Sequence, residues 1–242
     1  MLKNNLSKFN SDGFVVIRNL IPKKNIPIVK KELKKISDIL VKNYKAPYVH
    51  LTKDFKLNTA HHLDKIFPKS RVMSISKNKK IKTFLEKKFE TKMLMNNFEI
   101  FAKPNKTGKK VPFHQDNFYW NIKNEKAANI WIALNKVDKN NGGLIYYKGS
   151  HQLGLKAHSL SKVPGTSQEI KAITLKKINL KQVQPKLNPG DCIVHHCNTI
   201  HGSKANKSNR DRLCIALRFV SKNAKIDKKK MRIYLKKLKK NN

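Results

Sequence analysis

The sequence predicts a mainly β fold of the sandwich or jelly-roll kind, with helices lying mainly before it. Three observations carry that expectation. Strand-length runs rich in branched and aromatic residues recur through the second half, at Asn129 to Leu134, Leu144 to Tyr147, Asp191 to His195 and Leu213 to Val220. Turn residues separate them at Asn141-Gly142-Gly143, Gly149, Pro164-Gly165 and Pro189-Gly190. Ahead of these strands, apolar residues fall at three- and four-residue intervals in two segments, the period of a helix with one buried face.

Taken in order, a short polar, helix-like opening leads to Gly13, and Phe14-Val15-Val16-Ile17-Arg18 reads as the first strand. Asn25 is placed to cap a helix that tolerates Pro27 in its first turn and buries Ile26, Val29, Leu33, Ile36 and Leu40. Tyr44 to Met73 has no clean period and carries His50, His61 and His62, which suits a surface or substrate loop. Ile81, Phe84, Leu85 and Phe89 mark the second amphipathic helix, and Lys92 to Lys103 turns strand-like. Pro104-Asn105-Lys106-Thr107-Gly108 is a loop that delivers the chain to Pro112-Phe113-His114-Gln115-Asp116-Asn117. At the far end, Lys225 to Lys240 is basic, with Met231, Ile233, Tyr234, Leu235 and Leu238 on one helical face, and is expected to cover a sheet edge. One domain over 1–242 follows, with a helical part at about 1–90, a β core at about 91–221 and the basic helix at about 225–240.

Composition narrows the class. With 39% hydrophobic residues and a mean hydropathy of -0.61, the chain reads as soluble and globular, and no apolar run approaches the roughly 20 residues that span a bilayer. Met1-Leu2-Lys3-Asn4-Asn5 leads into polar sequence without a secretion-type apolar stretch, so a cytoplasmic location is expected. Cys192, Cys197 and Cys214 are odd in number and lack zinc-like spacing, which suits reduced thiols. The formal charge of +39 comes almost wholly from Lys dispersed among Asn and Ile; only six of the 54 basic residues are Arg, the better phosphate fork, so nucleic acid is a disfavoured partner. A field of that sign still attracts an anionic small substrate.

Chemistry concentrates at His114-Gln115-Asp116. In an extended segment side chains alternate, so His114 and Asp116 are expected to point the same way. One imidazole and one carboxylate make two-thirds of the facial triad that holds Fe(II) and leaves positions open for small molecules. The missing imidazole has candidates at His151, His158, His195, His196 and His201. His201 stands out because Asn198-Thr199-Ile200-His201-Gly202-Ser203 follows the turn Asn188-Pro189-Gly190-Asp191 and a strand, and Arg212 comes eleven residues later.

These residues resemble the phytanoyl-CoA dioxygenase family of Fe(II)- and 2-oxoglutarate-dependent oxygenases. The resemblance includes Asp12-Gly13-Phe14-Val15-Val16, Phe113-His114-Gln115-Asp116-Asn117, Trp131-Ile132-Ala133-Leu134, Asn141-Gly142-Gly143-Leu144, Lys148-Gly149-Ser150-His151, Pro189-Gly190-Asp191, and His201-Gly202-Ser203 through Arg212. It therefore covers nearly the whole chain. It implies a double-stranded β-helix of cupin-like form, with His114, Asp116 and His201 as ligands of Fe(II). It further implies 2-oxoglutarate and O₂ as cosubstrates, with Arg212 as the planar cation for the far carboxylate of 2-oxoglutarate and Ser203 as a hydroxyl to the same group. By similarity to the ectoine hydroxylase branch, Trp120 lines the cosubstrate; a core aromatic is the other reading.

The implied reaction is hydroxylation of a small organic substrate with release of succinate and CO₂. Related halogenases put a small residue where Asp116 stands, so the carboxylate argues for hydroxylation. Gln115-Asp116-Asn117-Phe118-Tyr119-Trp120 departs from the ectoine hydroxylase signature, which argues against ectoine itself. Substrate choice is expected to lie on the variable loops Tyr44 to Arg71 and Leu153 to Ile173. Of the remaining groups, His151 reads as structural, at most one of His195 and His196 can face the pocket, and Arg218 reaches either the site or an acid partner. The alternative is a non-catalytic jelly-roll binding protein with a basic surface for nucleic acid or anionic membrane. The set His114, Asp116, His201 and Arg212 argues against it.

Overall fold

Alternate residues of the central strands join two different apolar clusters, and that pattern sorts the fold into layers. The computed structural model describes residues 2–44, 48–163 and 166–239; the Pro164-Gly165 turn and Lys240 lie outside the described residues, as do the side chains of Leu235 and Leu238. Thirteen strands occur among the described residues: β1 (Phe14–Ile17), β2 (Val49–Leu51), β3 (Leu57–Ala60), β4 (Met93–Lys103), β5 (Val111–His114), β6 (Ala127–Ala133), β7 (Leu144–Tyr147), β8 (His158–Leu160), β9 (Gln168–Ile170), β10 (Gln182–Val183), β11 (Cys192–His196), β12 (His201–Ser203) and β13 (Arg212–Ser221). A major sheet has the order β1-β11-β6-β13-β4-β3-β2, a minor sheet the order β10-β7-β12-β5, and β8 pairs with β9 alone. The described pairings are antiparallel.

The two sheets face each other as a jelly roll. Trp131, Ala133, Ile193, Cys214 and Ala216 of the major sheet pack in one cluster with Leu144 and Tyr146 of the minor sheet. The alternate residues Ile130, Ile132, Val194, Ile215 and Leu217 point the other way and meet the helices through Phe9, Leu33, Ile36 and Phe84. Strand β6, Ala-Ala-Asn-Ile-Trp-Ile-Ala, is buried along its whole length because it is central and covered on both faces.

The helix Ile26–Asn43 buries the five residues its period marks, Ile26, Val29, Leu33, Ile36 and Leu40. Asn25 does not cap it with its side chain: a 3₁₀ turn, Lys23–Asn25, runs into the helix, so Asn25 already has helical backbone angles. The second amphipathic helix, Lys79–Phe89, buries Ile81, Phe84, Leu85 and Phe89 and is capped by Asn78, whose side chain accepts from the Lys80 amide.

Three expectations are corrected. The segment Tyr44 to Met73 is not a plain loop, because β2 and β3 extend the edge of the major sheet beside β4. Short strands broken at a turn by Asp54-Phe55 present too few alternations to be seen. For the same reason the part before residue 90 carries more than helices and the expected β1: it also supplies β2 and β3. The basic helix, Lys228–Lys239, packs against the short helix Asn117–Trp120 and bonds the hairpin through Tyr234 Oη and Ser167 Oγ at 2.9 Å, so it walls a cavity instead of covering a sheet edge. Among the described residues, no helix is long and apolar enough to cross a membrane.

Contrasting positions on Ile26–Asn43 test the packing. Leu33 is 0% exposed and Ile28 is 48% exposed. In denaturant unfolding, Leu33→Ala is expected to cost about 2–5 kcal/mol, and Ile28→Ala to stay within about 0.5 kcal/mol.

Candidate metal centre

The site begins with a pairing inside the minor sheet. His114 ends β5, His201 opens β12, and the two are direct partners in the ladder, so their imidazoles lie side by side with ring centroids 4.4 Å apart. Each ring is oriented by its own backbone: His114 Nδ1 is 2.9 Å from the Pro112 carbonyl and His201 Nδ1 is 3.0 Å from the Thr199 carbonyl. A carbonyl only accepts, so both Nδ1 atoms carry the proton and both Nε2 atoms present a bare lone pair.

Asp116 joins them by a different route from the one the extended reading assumes. β5 stops at His114, and Asp116, at φ -57° and ψ -35°, is the N-cap of the helix Asn117–Trp120. A turn, not strand alternation, brings its carboxylate round. Oδ1 lies 3.5 Å from His114 Nε2 and 3.8 Å from His201 Nε2, and one ligand atom from each residue can be chosen with all three within 4.8 Å of one another. Gln115 holds the turn: its side-chain amide nitrogen, Nε2, donates to the carbonyls of Gly154 and Asn198, its Oε1 accepts from Lys156 N, and its backbone N–H donates to His158 Nε2.

The second carboxylate oxygen faces the major sheet. Asp116 Oδ2 accepts from Asn129 Nδ2 at 3.2 Å and from His195 Nε2 at 3.1 Å. With that nitrogen protonated, His195 Nδ1 is the acceptor for the Tyr146 hydroxyl at 2.9 Å. Burial works to raise the Asp116 carboxyl, but the surrounding imidazoles of His201, His114 and His195 outweigh it and hold it well below the usual carboxylate range. Burial, with His114 and His195 adding to it, pushes His201 well below the usual imidazole range. An ionised carboxylate beside neutral imidazoles is the donor set a divalent cation requires.

A cavity of about 1510 Å³ opens over these three side chains. At its inner end Arg212, 2% exposed, stacks 5.1 Å over Trp131 and donates through Nη1 to the Gly142 carbonyl at 2.6 Å, while its Nε has no hydrogen-bond partner. Ser203 lies in the same wall, and its Oγ is 2.6 Å from Lys103 Nζ. Trp120 also lines the cavity, but its ring lies 5.3 Å under the guanidinium of Arg218; the ring under Arg212 is Trp131. Arg218 therefore reaches the cavity, with Nε donating to Asn96 Oδ1 at 2.8 Å. His50, His61 and His62 line it as well, and His61 pairs with Glu99 at 2.7 Å.

The other histidines separate as alternation requires. His195 faces the site, whereas His196 packs against Phe9 and Phe89, where burial lowers it to about 3. His151 bonds the Asn10 carbonyl at 3.1 Å and His158 stacks on Phe118 at 4.1 Å, so neither is among the three candidate ligands. Asn129, Tyr146 and Lys103 escaped sequence reasoning. Asn129 and Tyr146 are marked only as polar groups in otherwise apolar strands, and Lys103 has no local signal.

Comparison with known proteins agrees with this geometry. The family model for phytanoyl-CoA dioxygenase (PhyH) matches residues 9–214. The human peroxisomal phytanoyl-CoA dioxygenase is 25% identical over 227 residues, covering 88% of this chain and 66%, just under two thirds, of the human protein. EctD from S. alaskensis, solved with bound Fe, superposes with a TM-score of 0.76 at 16% identity, covering 93% of this chain and 78% of EctD. The same protein solved with 2-oxoglutarate and 5-hydroxyectoine gives a TM-score of 0.74 at 17% identity, over 93% and 77% of the two chains. The match of the family model to most of the chain, on a jelly roll with these side chains converged, makes this protein a member of the phytanoyl-CoA dioxygenase family.

Proposed function

We propose that this protein is a non-haem Fe(II)- and 2-oxoglutarate-dependent dioxygenase that hydroxylates a small organic substrate, releasing succinate and CO₂. The observation that carries the reading is the arrangement of His114, Asp116 and His201: two bare Nε2 atoms and one carboxylate oxygen, buried, on one side of a cavity. Three donors on one side suit Fe(II) and leave positions for other ligands on the cavity side. The metal, with 2-oxoglutarate and O₂, supplies the oxidising power for inserting oxygen into a C–H bond.

The chain's own residues do the rest. His114 and His201 are held as Nδ1–H tautomers by the Pro112 and Thr199 carbonyls, so each offers Nε2 without a rearrangement. His195 and Asn129 hold Oδ2 of Asp116, which leaves Oδ1 for the metal. Arg212 is a permanent, buried, planar cation whose Nε lacks a partner, and an anion at the inner end of the cavity supplies one. We assign it, with Ser203, to the far carboxylate of 2-oxoglutarate. Trp120, next to Arg218, lines the part of the cavity left for the primary substrate. That substrate is an anionic or neutral small molecule, since Arg218, Lys162 and Lys222 outnumber Glu99 around the wall.

Anaerobic titration with Fe(II) and 2-oxoglutarate, read by the weak visible metal-to-ligand band, tests the assignment. The native protein is expected to give the band and His201→Ala to lose it. Arg212→Ala should need about thirtyfold or more 2-oxoglutarate, in keeping with about 2–5 kcal/mol for a buried charged partner. Absence of the band from folded, iron-loaded native protein would sink the oxygenase reading. For His195→Phe, which removes a donor to Asp116, Fe(II) affinity measured by chelator competition is expected to fall about 10–100-fold.

A further inference from the structure

Arg218 stands on the floor of the outer cavity with half of its hydrogen-bonding fork unused. It lies on β13, and its register partners are Asn97 on β4 and Asn129 on β6. Asn129 is the residue whose amide bonds Asp116 Oδ2, so Arg218 is one strand away from the candidate metal centre. Its guanidinium stacks at 5.3 Å on Trp120, which ends the short helix that Asp116 caps. Both members of the stack are therefore tied to Asp116, one through the ladder and one through a single helical turn.

The stack fixes the plane of the guanidinium, and Nε donates to Asn96 Oδ1 at 2.8 Å. Among the described residues neither Nη1 nor Nη2 has a hydrogen-bond partner. Arg18 and Arg210, by contrast, each meet a carboxylate oxygen at 2.7 Å. The acids that line the cavity are engaged elsewhere: Glu99 Oε1 takes His61 Nδ1 at 2.7 Å, and Asp116 Oδ2 takes His195 and Asn129. Burial lowers the Arg218 guanidinium from its ordinary value, and the charges of Glu99, Asp116 and Asp64 work against that. It has their field without their hydrogen bonds. Beside it, Asn97 Oδ1 and Asn129 Oδ1 are buried without partners, so this floor is unfinished polar surface and not packing.

Arg212 serves the other end of the cavity. Arg218 comes six residues later on the same strand, which at about 3.3 Å per residue puts roughly 20 Å between the two backbones. One small anion cannot occupy both.

Resting on the oxygenase reading above, we propose that Arg218, backed by Trp120, receives an acid group of the primary substrate through its two free terminal nitrogens. The substrate is then a compact organic anion, a carboxylate or a phosphonate, whose reacting carbon lies close to that group because fork and centre are neighbours. A planar fork takes either oxyanion through two parallel bonds.

The chain has two tryptophans, so the indole N–H signals of ¹⁵N-labelled protein report the two ends separately: Trp131 under Arg212 and Trp120 under Arg218. Protein loaded with Zn(II), to prevent turnover, and saturated with 2-oxoglutarate is titrated at constant ionic strength with butyrate, propylphosphonate and uncharged butyramide. The expected result is a saturable shift of the Trp120 signal by at least one of the anions and none by butyramide. The tighter anion identifies the acid. Arg218→Met should weaken that binding about tenfold to hundredfold, the size of a charged hydrogen bond, while 2-oxoglutarate still moves the Trp131 signal. Arg218→Lys, which keeps the charge without the fork, should fall between, and it carries the test should Arg218→Met fail to fold. No saturable Trp120 shift with either anion, an equal shift with butyramide, or undiminished anion binding in the variant would overturn the proposal and leave the oxygenase reading intact. A lowered thermal midpoint with unchanged anion affinity would make Arg218 structural and overturn it too. Native protein whose Trp131 signal ignores 2-oxoglutarate overturns both.

Discussion

Everything at the site depends on how one buried carboxylate is satisfied. Asp116 draws partners from both layers of the jelly roll: His114 and His201 from the minor sheet, His195 and Asn129 from the major one. Each of these side chains is set by strand register, so the distance between the sheets becomes the geometry of the centre. Tyr146 extends the link, since it lies beside His201 in the ladder and donates to His195 across the gap between the layers. A carboxylate with too few donors in such surroundings costs about 1–3 kcal/mol per missing bond. The network therefore joins the two sheets and, in the same atoms, aims the group assigned to the metal.

Charge at the opposite end follows the reverse logic. Asp116 has two donors on Oδ2, Asn129 and His195, whereas Arg212 and Lys103 stand together without a carboxylate among the described residues. Stability alone would favour an apolar pair there. An anion entering there would supply the partner that Arg212 Nε lacks, and a ligand that binds only the folded state stabilises it. The loops serve the two side chains: Gly142 leaves room for the Lys103 chain and accepts from Arg212, and Asn206 donates to the Lys103 carbonyl.

Sequence reading reached the scaffold where one period ran long enough. Ile26 to Leu40 and Ile81 to Phe89 repeat at helical spacing, and the runs around Trp131, Ile145, Ile193 and Ile215 have the composition of buried strands, so these elements were legible. β2, β3, β8, β9 and β10 were not, because two to four residues contain no measurable alternation. At the site, His114, Asp116, His201, Ser203 and Arg212 could be picked out, but strand alternation was the wrong cause for Asp116, which a helical turn brings into place. Lys103 was hidden by composition. Among 54 basic residues, one buried lysine has no local mark, and only the register opposite Arg212 distinguishes it.

The cavity itself separates what the jelly roll decides from what its additions decide. The inner end is built by β12, β13 and the β5 terminus, the elements that carry His201, Ser203, Arg212 and His114. The outer part is walled by pieces that the two facing sheets do not need: His50 and His61 from the added edge, Leu160 and Lys162 from the hairpin, and Met231 and Tyr234 from the basic helix. At about 1510 Å³ the space exceeds the roughly 300–1,000 Å³ usual for a single small ligand, which leaves room beside a cosubstrate. The outer set can change without disturbing the ladder that aligns His114 and His201, so the proposed reading assigns substrate choice to the edge strands, the hairpin and the basic helix.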